Sequence, residues 1–328
     1  KLLITVDSGI RNKEEAAAAK ALGLDLIITD HHTPPDDESE LPDCLLVNPK
    51  LAGETYPFKH LAGVGVAWKL VQALIAKAKL SETIKKRLQE KVLDLVAIGT
   101  VADCVILLGE NRALVKKGLE ILNKTDRLGL KELIKAAGLN QGKTIDAWNI
   151  GFQIAPRLNA AGRMGHANTS FELLTSAEPV TAAGLAQKLN ASNGERQHNT
   201  EEIFDLVEKQ IIPGAKDKIL IGVYEIDKKI EQTVWNEGVI GLVAGKICEK
   251  YYQPALVITT NQEGYKGSGR SIEGFSLIKA LEECADLLDK FGGHPMACGF
   301  SLPTDKLADF IVRMKAIAER ELKDKILL

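Results

Sequence analysis

Three separated segments of this chain end on side chains able to hold a divalent cation. Asp7 closes the apolar run Leu2-Leu3-Ile4-Thr5-Val6, Thr29-Asp30-His31-His32 follows Asp25-Leu26-Ile27-Ile28, and Asp103 closes the almost wholly apolar stretch 93–102. Carboxylate oxygens and imidazole nitrogens in one cluster suit Mn²⁺, Mg²⁺ or Zn²⁺. A charge at the end of an apolar stretch is costly unless it is paired or bound to a cation. Plainer uses stand beside this one. An Asp after a strand also caps a helix or forms a turn, Asp103 is open to a capping role, and one of two histidines can be a structural residue with a locked tautomer. The whole chain has 6 histidines, which makes an adjacent pair informative.

For these residues to meet, the elements carrying them must share an edge. Residues 12–23 open with Lys13-Glu14-Glu15, continue through alanines and stop at Gly23, the pattern of a helix with a C-terminal glycine. Strand, helix and strand in so short a span predict a βαβ unit, whose right-handed crossover makes the strands parallel. Asp7, Asp30, His31 and His32 are therefore expected on one rim, where open α/β sheets keep their ligands. A third strand is expected at 44–47, before Asn48-Pro49. From Leu61 the period becomes helical through Val64, Ala67, Trp68, Val71 and Leu74. The small residues opening that helix, Leu61-Ala62-Gly63-Val64-Gly65, are read as a close-packing surface. A Lys- and Glu-rich helix follows, and residues 111–123 form another, with a stripe through Ala113, Leu114, Gly118 and Leu122.

The later half has its own dense stretches. In residues 151–166, Arg157 and Arg163 stand six apart among small residues, a pattern that fits phosphate recognition by guanidinium forks and equally fits surface ion pairs. Residues 181–212 read as one long helix, polar all round, ended by Pro213-Gly214. A second α/β region follows, with strands at 218–223 and 255–259 around a helix at 238–252. The segment 265–271 reads as a glycine-spaced turn able to cradle phosphate through Ser268 and Arg270. Gly292-Gly293-His294 implies tightly bent backbone with a histidine beside it, either aimed at a ligand or hydrogen-bonded in a turn. The expected division is 1–180, a connecting helix 181–212, and 213–328.

Composition narrows the class. At 328 residues and 45% hydrophobic content the chain can build two cores, and no run approaches the length of a membrane span. A net charge of −2 means that a nucleic-acid partner would need a local basic groove. The 5 cysteines (Cys44, Cys104, Cys248, Cys284, Cys298) lack CxxC spacing, which argues against a disulfide framework or thiolate zinc site and for a reducing cytoplasm. Lys1 already lies against a strand whose outer edge would be unpaired, so upstream residues are expected.

The ordered set Val6-Asp7-Ser8-Gly9, Asp30-His31-His32, Gly99-Thr100-Val101-Ala102-Asp103, 155–163, Gly238-Val239-Ile240-Gly241, Gly267-Ser268-Gly269-Arg270-Ser271 and Gly292-Gly293-His294 resembles the DHH phosphoesterase superfamily and, within it, the RecJ-type single-strand exonucleases. The resemblance implies an α/β fold: a parallel-sheet DHH domain joined by a long helix to a smaller α/β DHH-associated domain, with the active-site cleft between them. It implies Mn²⁺- or Mg²⁺-dependent 5′→3′ hydrolysis of single-stranded DNA in repair and recombination, with a single-strand-binding protein or helicase as further partners. Asp7, His31 and Asp103 would be metal ligands, His32 would face the scissile phosphate, and Asp30 would orient the histidines as part of the catalytic group. Arg157, Asn159, Arg163, Ser268, Arg270, Ser271, Gly292, Gly293 and His294 would contact the strand. The family's earlier Asp-x-Asp strand and its oligonucleotide-binding domain are not in this sequence, and Asn236 stands where many relatives carry His. The resemblance thus implies an incomplete two-metal site and slow hydrolysis by this chain alone. A small-substrate DHH phosphodiesterase and a decayed binding module are the alternatives.

Overall fold

Between Leu2 and Val47 the backbone alternates strand and helix for local reasons. β1 (Leu2–Val6) and β2 (Asp25–Thr29) are aliphatic and β-branched runs, while acidic residues and alanines favour α1 (Lys13–Ala21) between them. Gly23, at φ +70°, supplies the left-handed residue just past the helix. β3 (Leu45–Val47) completes a parallel sheet in the order β1-β2-β3. Its register aligns Val6, Thr29 and Val47. The next residues are Asp7, Asp30 and Asn48, so all three leave the sheet at one rim.

The computed structural model describes residues 1–139, 144–211, 217–224 and 234–323. Contacts divide the chain into one unit of Lys1–Leu158 with Ser170–Asn190, and a second of Asn159–Thr169 with Ala191–Leu328. The expected Pro213-Gly214 helix stop lies outside the described residues.

The first unit continues with α2 (Gly63–Lys77), α3 (Glu82–Glu90), α4 (Leu93–Ala102), α5 (Gly109–Leu122) and α6 (Leu128–Ala136). The apolar stretch before Asp103 is the helix α4, and Trp68, Leu93 and Val96 form the core where α2 and α4 meet α5. Asp94 is 2% exposed and accepts from Thr125 Oγ1 at 3.1 Å and Arg127 Nε at 3.3 Å. The inward residues of α5 are Asn111, Val115, Gly118 and Leu122, whereas Ala113 is exposed. The apolar pattern misplaces this stripe because Asn111 is polar yet buried, its amide donating to the His60 and Ile106 carbonyls. A short capped turn, α7 (Ala147–Asn149), runs through a π-helical turn (Ile150–Ile154) into α8 (Ala155–Met164), and α9 (Asn168–Thr175) follows.

The long helix α10 (Pro179–Ile211) is not polar all round. Ala182, Ala186, Leu189, Asn193, Thr200, Ile203, Val207 and Ile211 form a buried stripe at helical spacing. Small and polar members hide that stripe from a hydrophobicity reading.

The second unit holds a mixed sheet in the order β4-β5-β6-β8-β7: β4 (Leu220–Val223), β5 (Ala255–Asn261), β6 (Gly264–Arg270), β7 (Lys290–His294) and β8 (Ala297–Leu302). α11 (Glu237–Tyr251) and the end of α10 cover one face, and α12 (Leu277–Glu282) and α13 (Leu307–Leu322) the other. The expected phosphate-cradling turn at 265–271 is instead the interior strand β6, its backbone paired with β5 and β8. Its glycines recur with period two for a packing reason. A Cβ on Gly267 would lie 2.1 Å from the Phe300 ring, and one on Gly269 2.6 Å from Leu256.

Candidate metal centre

Asp7 leaves β1 in the left-handed region at φ +63°, which Asp tolerates better than most residues. Its N–H donates to the Thr29 carbonyl at 2.9 Å, and the Asp30 N–H donates to Val47 at 3.0 Å, continuing the ladder to the rim. Asp30 is 1% exposed. Its oxygens accept from the N–H groups of Ile10 (3.0 Å), His31 (2.7 Å) and His32 (3.2 Å), and lie 2.7 Å from His32 Nδ1. Burial would push this carboxyl up, but the hydrogen bonds outweigh it and hold Asp30 below the usual carboxylate range. Asp30 is thereby a fixed anion that sets the turn and the His32 ring.

The ring of His31 is set from the other side. Its Nδ1 lies 3.0 Å from the Leu61 carbonyl, which can only accept, so Nδ1 carries a hydrogen and Nε2 is left to take a cation or a second proton. That Nε2 is 3.1 Å from Asp7 Oδ1 and 3.4 Å from Asp103 Oδ2, yet it is buried without an aligned hydrogen bond. Ligand atoms of Asp7, His31 and His32 all fall within 4.8 Å of one another. Asp103 arrives from the last turn of α4. The neighbouring Asp7 carboxylate, helped by Asp103, holds His31 above the ordinary imidazole value against the opposing effect of burial. Burial, with the charge of Asp7, raises Asp103. Two carboxylates converging on one imidazole nitrogen repel each other unless a positive charge, a proton on the ring or a cation, lies among them. The donor set, imidazole nitrogen and carboxylate oxygen, fits a divalent cation.

Three groups that hold this centre escape a reading of the side chains. Gly63 is the clearest: a Cβ there would lie 2.1 Å from Asp7 Oδ1. The small opening of α2 therefore makes room for the Asp7 carboxylate, a correction to the close-packing expectation. It also brings the positive end of α2 near that carboxylate. Asn48, 3% exposed, donates from Nδ2 to the His32 carbonyl at 2.9 Å. Its place at a third strand end is a signal the sequence does offer. The Leu61 carbonyl leaves no trace in residue type.

The residues expected to meet substrate are divided between the two units. Arg157 lies in the first unit and Arg163 in the second. Arg157 donates to Asn190 Oδ1 at 2.9 Å and the Gln153 carbonyl at 2.7 Å, and Asn159 is exposed. Arg163 donates to the Gly238 carbonyl at 3.0 Å, and burial, then the charge of Arg270, holds its guanidinium below its usual value. In the sheet, Ser268 pairs with Gly299, which in turn pairs with Gly292, and Arg270 pairs with Ala297, which in turn pairs with His294, so Ser268, Arg270 and His294 share a face. On that face a Cβ at Gly241 would lie 2.9 Å from Ser268 Oγ and 3.5 Å from Arg270 Nη2. Ser271 points elsewhere, its hydroxyl donating to the Phe275 carbonyl at 2.8 Å. Gly292 is exposed on the edge strand β7, and Gly293, at φ +143°, lets that strand pass the Ala297 carbonyl. Asn236 caps α11 by accepting from the Gly238 N–H at 2.8 Å.

Comparison with known proteins adds a second line. Residues 1–100 match the DHH family, N-terminal domain, and residues 218–320 the DHHA1 domain. The chain is 44% identical to the single-stranded-DNA-specific exonuclease RecJ of Bacillus subtilis (strain 168), covering 99% of this chain and 39% of that protein. Against the RecJ of Salmonella typhimurium the identity is 35%, covering 100% and 58%. The crystal structure of RecJ in complex with Mn²⁺ from Thermus thermophilus superposes with a TM-score of 0.82 at 33% identity, covering 97% of this chain and 45% of that one. A crystal structure of exonuclease RecJ bound to manganese gives 0.79 at 32%, covering 99% and 77%. The chain thus spans between 39% and 58% of the length of these two curated relatives.

Proposed function

The chain belongs to the DHH family, in its RecJ-type branch, and from that premise we propose that it serves a divalent-metal-dependent 5′→3′ exonuclease acting on single-stranded DNA. The observation that carries this reading is the buried Nε2 of His31, turned toward the carboxylates of Asp7 and Asp103. Asp7, His31 and Asp103 are the proposed ligands of Mn²⁺ or Mg²⁺, with His32 on the side of the scissile phosphate. Asp30 is a positioning residue that acts through His32. When bound, the cation supplies an acidified water and offsets charge developing on the phosphodiester. The protein's own part is to fix each imidazole through its Nδ1 contact, leaving Nε2 for a ligand, and to keep Asp7 in place. In the second unit, Arg163, Ser268 and Arg270 are proposed to grip backbone phosphates, with His294 on the same face and Gly241 leaving room. Arg157 and Asn159 are further proposed backbone contacts. Gly292, Gly293 and Ser271 complete the proposed substrate-binding set, Ser271 with its hydroxyl donating to the Phe275 carbonyl.

The proposed division is a DHH domain at 1–180, a connecting helix at 181–212 and a DHH-associated domain at 213–328. The proposed setting is repair and recombination in the cytoplasm, beside a single-strand-binding protein or helicase. No helix among the described residues is long and apolar enough to cross a membrane. In the protein that carries this chain at its natural length, Mn²⁺ should support digestion of a 5′-phosphorylated single strand from that end and leave a blunt duplex intact. Turnover of a dinucleotide without turnover of the strand would instead favour a small-substrate phosphodiesterase.

A further inference from the structure

Trp148 and Phe152 form an exposed aromatic pair that the metal centre does not use. Their rings lie 5.3 Å apart at 28°, stacked, and the residues are 58% and 67% exposed. The turn that carries them is firmly built. Asp146 and Asn149 exchange hydrogen bonds as a capping box, Asn149 Nδ2 donates to Gln153 Oε1 at 2.8 Å, and Ile150 and Ile154 anchor the π-helical turn with no exposed surface. The rings are therefore held outward by design of the turn. The same turn packs on the end of α4, where a Cβ on Gly151 would lie 3.8 Å from Val101, two residues before Asp103. One turn further along the chain, Arg157 places a guanidinium against the Gln153 carbonyl.

We propose that Trp148 and Phe152 are a stacking platform for a base of the single strand, a contact that rests on the DNA reading given above. A flat, exposed π surface accepts any base, and such stacking gives affinity without sequence preference. The polar neighbours Asn149 and Gln153 limit the patch to two rings, each able to bury about 150–250 Å² at most. That is well short of the roughly 800 Å² per partner typical of a stable protein interface. One nucleobase covers it, and Arg157 supplies a cation for the adjoining phosphate.

The tryptophans make this testable by emission, because Trp68 and Trp235 are only 4% and 5% exposed. Oligothymidylate, titrated in EDTA, should quench the emission of the wild-type protein. Trp148→Phe should remove the quenching and keep the affinity, whereas the Trp148→Ala/Phe152→Ala double variant should weaken binding by about 5- to 150-fold. Circular dichroism and Mn²⁺ affinity should stay as in wild type. Unchanged affinity in the double variant, or quenching that survives Trp148→Phe, would overturn the platform alone. A wild-type protein that does not bind oligothymidylate would overturn the DNA reading together with it. Self-association abolished by the double variant would assign the patch to a second copy of the chain and also overturn the proposal.

Discussion

The Asp7 carboxylate occupies its place only because residue 63 has no side chain. Gly63→Ala should push that carboxylate aside and weaken Mn²⁺ binding by about 10- to 100-fold, as for other changes that disturb a ligand's support. Calorimetry reads the affinity, and circular dichroism should show the fold kept. Protons compete at the same spot. Asp7 holds His31 above its usual value, and burial raises Asp103. A group raised in the folded state stabilises it below the unfolded value and loses that contribution as pH climbs through the folded one. The metal-free protein should thus lose stability as pH rises past the ordinary imidazole value, with the window of Asp103 lying lower, from the ordinary carboxylate value upward, and a bound cation should replace the lost protons. The gain in Tm from Mn²⁺ over EDTA should be larger near pH 8 than near pH 6; a gain that shrinks would contradict this. Asp7, His31, His32 and Asp103 were legible because each interrupts an apolar run. Gly63 and the Leu61 carbonyl were not, since one acts by absence and the other by its backbone.

Among the elements, β1 to β3 were readable because their connections are short and their polar residues fall together at the strand ends. β6 was misjudged because glycines that make room for Phe300 and Leu256 resemble glycines that make a turn. Gly267→Ala, which forces a Cβ to within 2.1 Å of the Phe300 ring, should cost about 1–3 kcal/mol in urea denaturation. A neutral result would mean that the strand has slack there. The buried Asp94 was hidden inside the apolar stretch that became α4. Arg127→Ala would leave its carboxylate short of a partner and should cost about 3 kcal/mol by the same measurement.

At the scale of the whole chain, two α/β units were legible from the change of pattern near α10, but the membership of 159–169 in the second unit was not. Helical sequence alone does not say which core a segment packs on. If Arg270 grips a phosphate, Arg270→Ala should lower the slope of log affinity against log salt for a single strand by about one and leave Mn²⁺ binding alone. The central claim concerns the rim, and titration of Mn²⁺ into the metal-free chain by calorimetry tests it most directly, with wild type beside Asp7→Asn and His31→Ala. Saturable binding by the wild type, weakened at least about tenfold in each folded variant, is expected. Equal binding by all three, or none by the wild type, would contradict it.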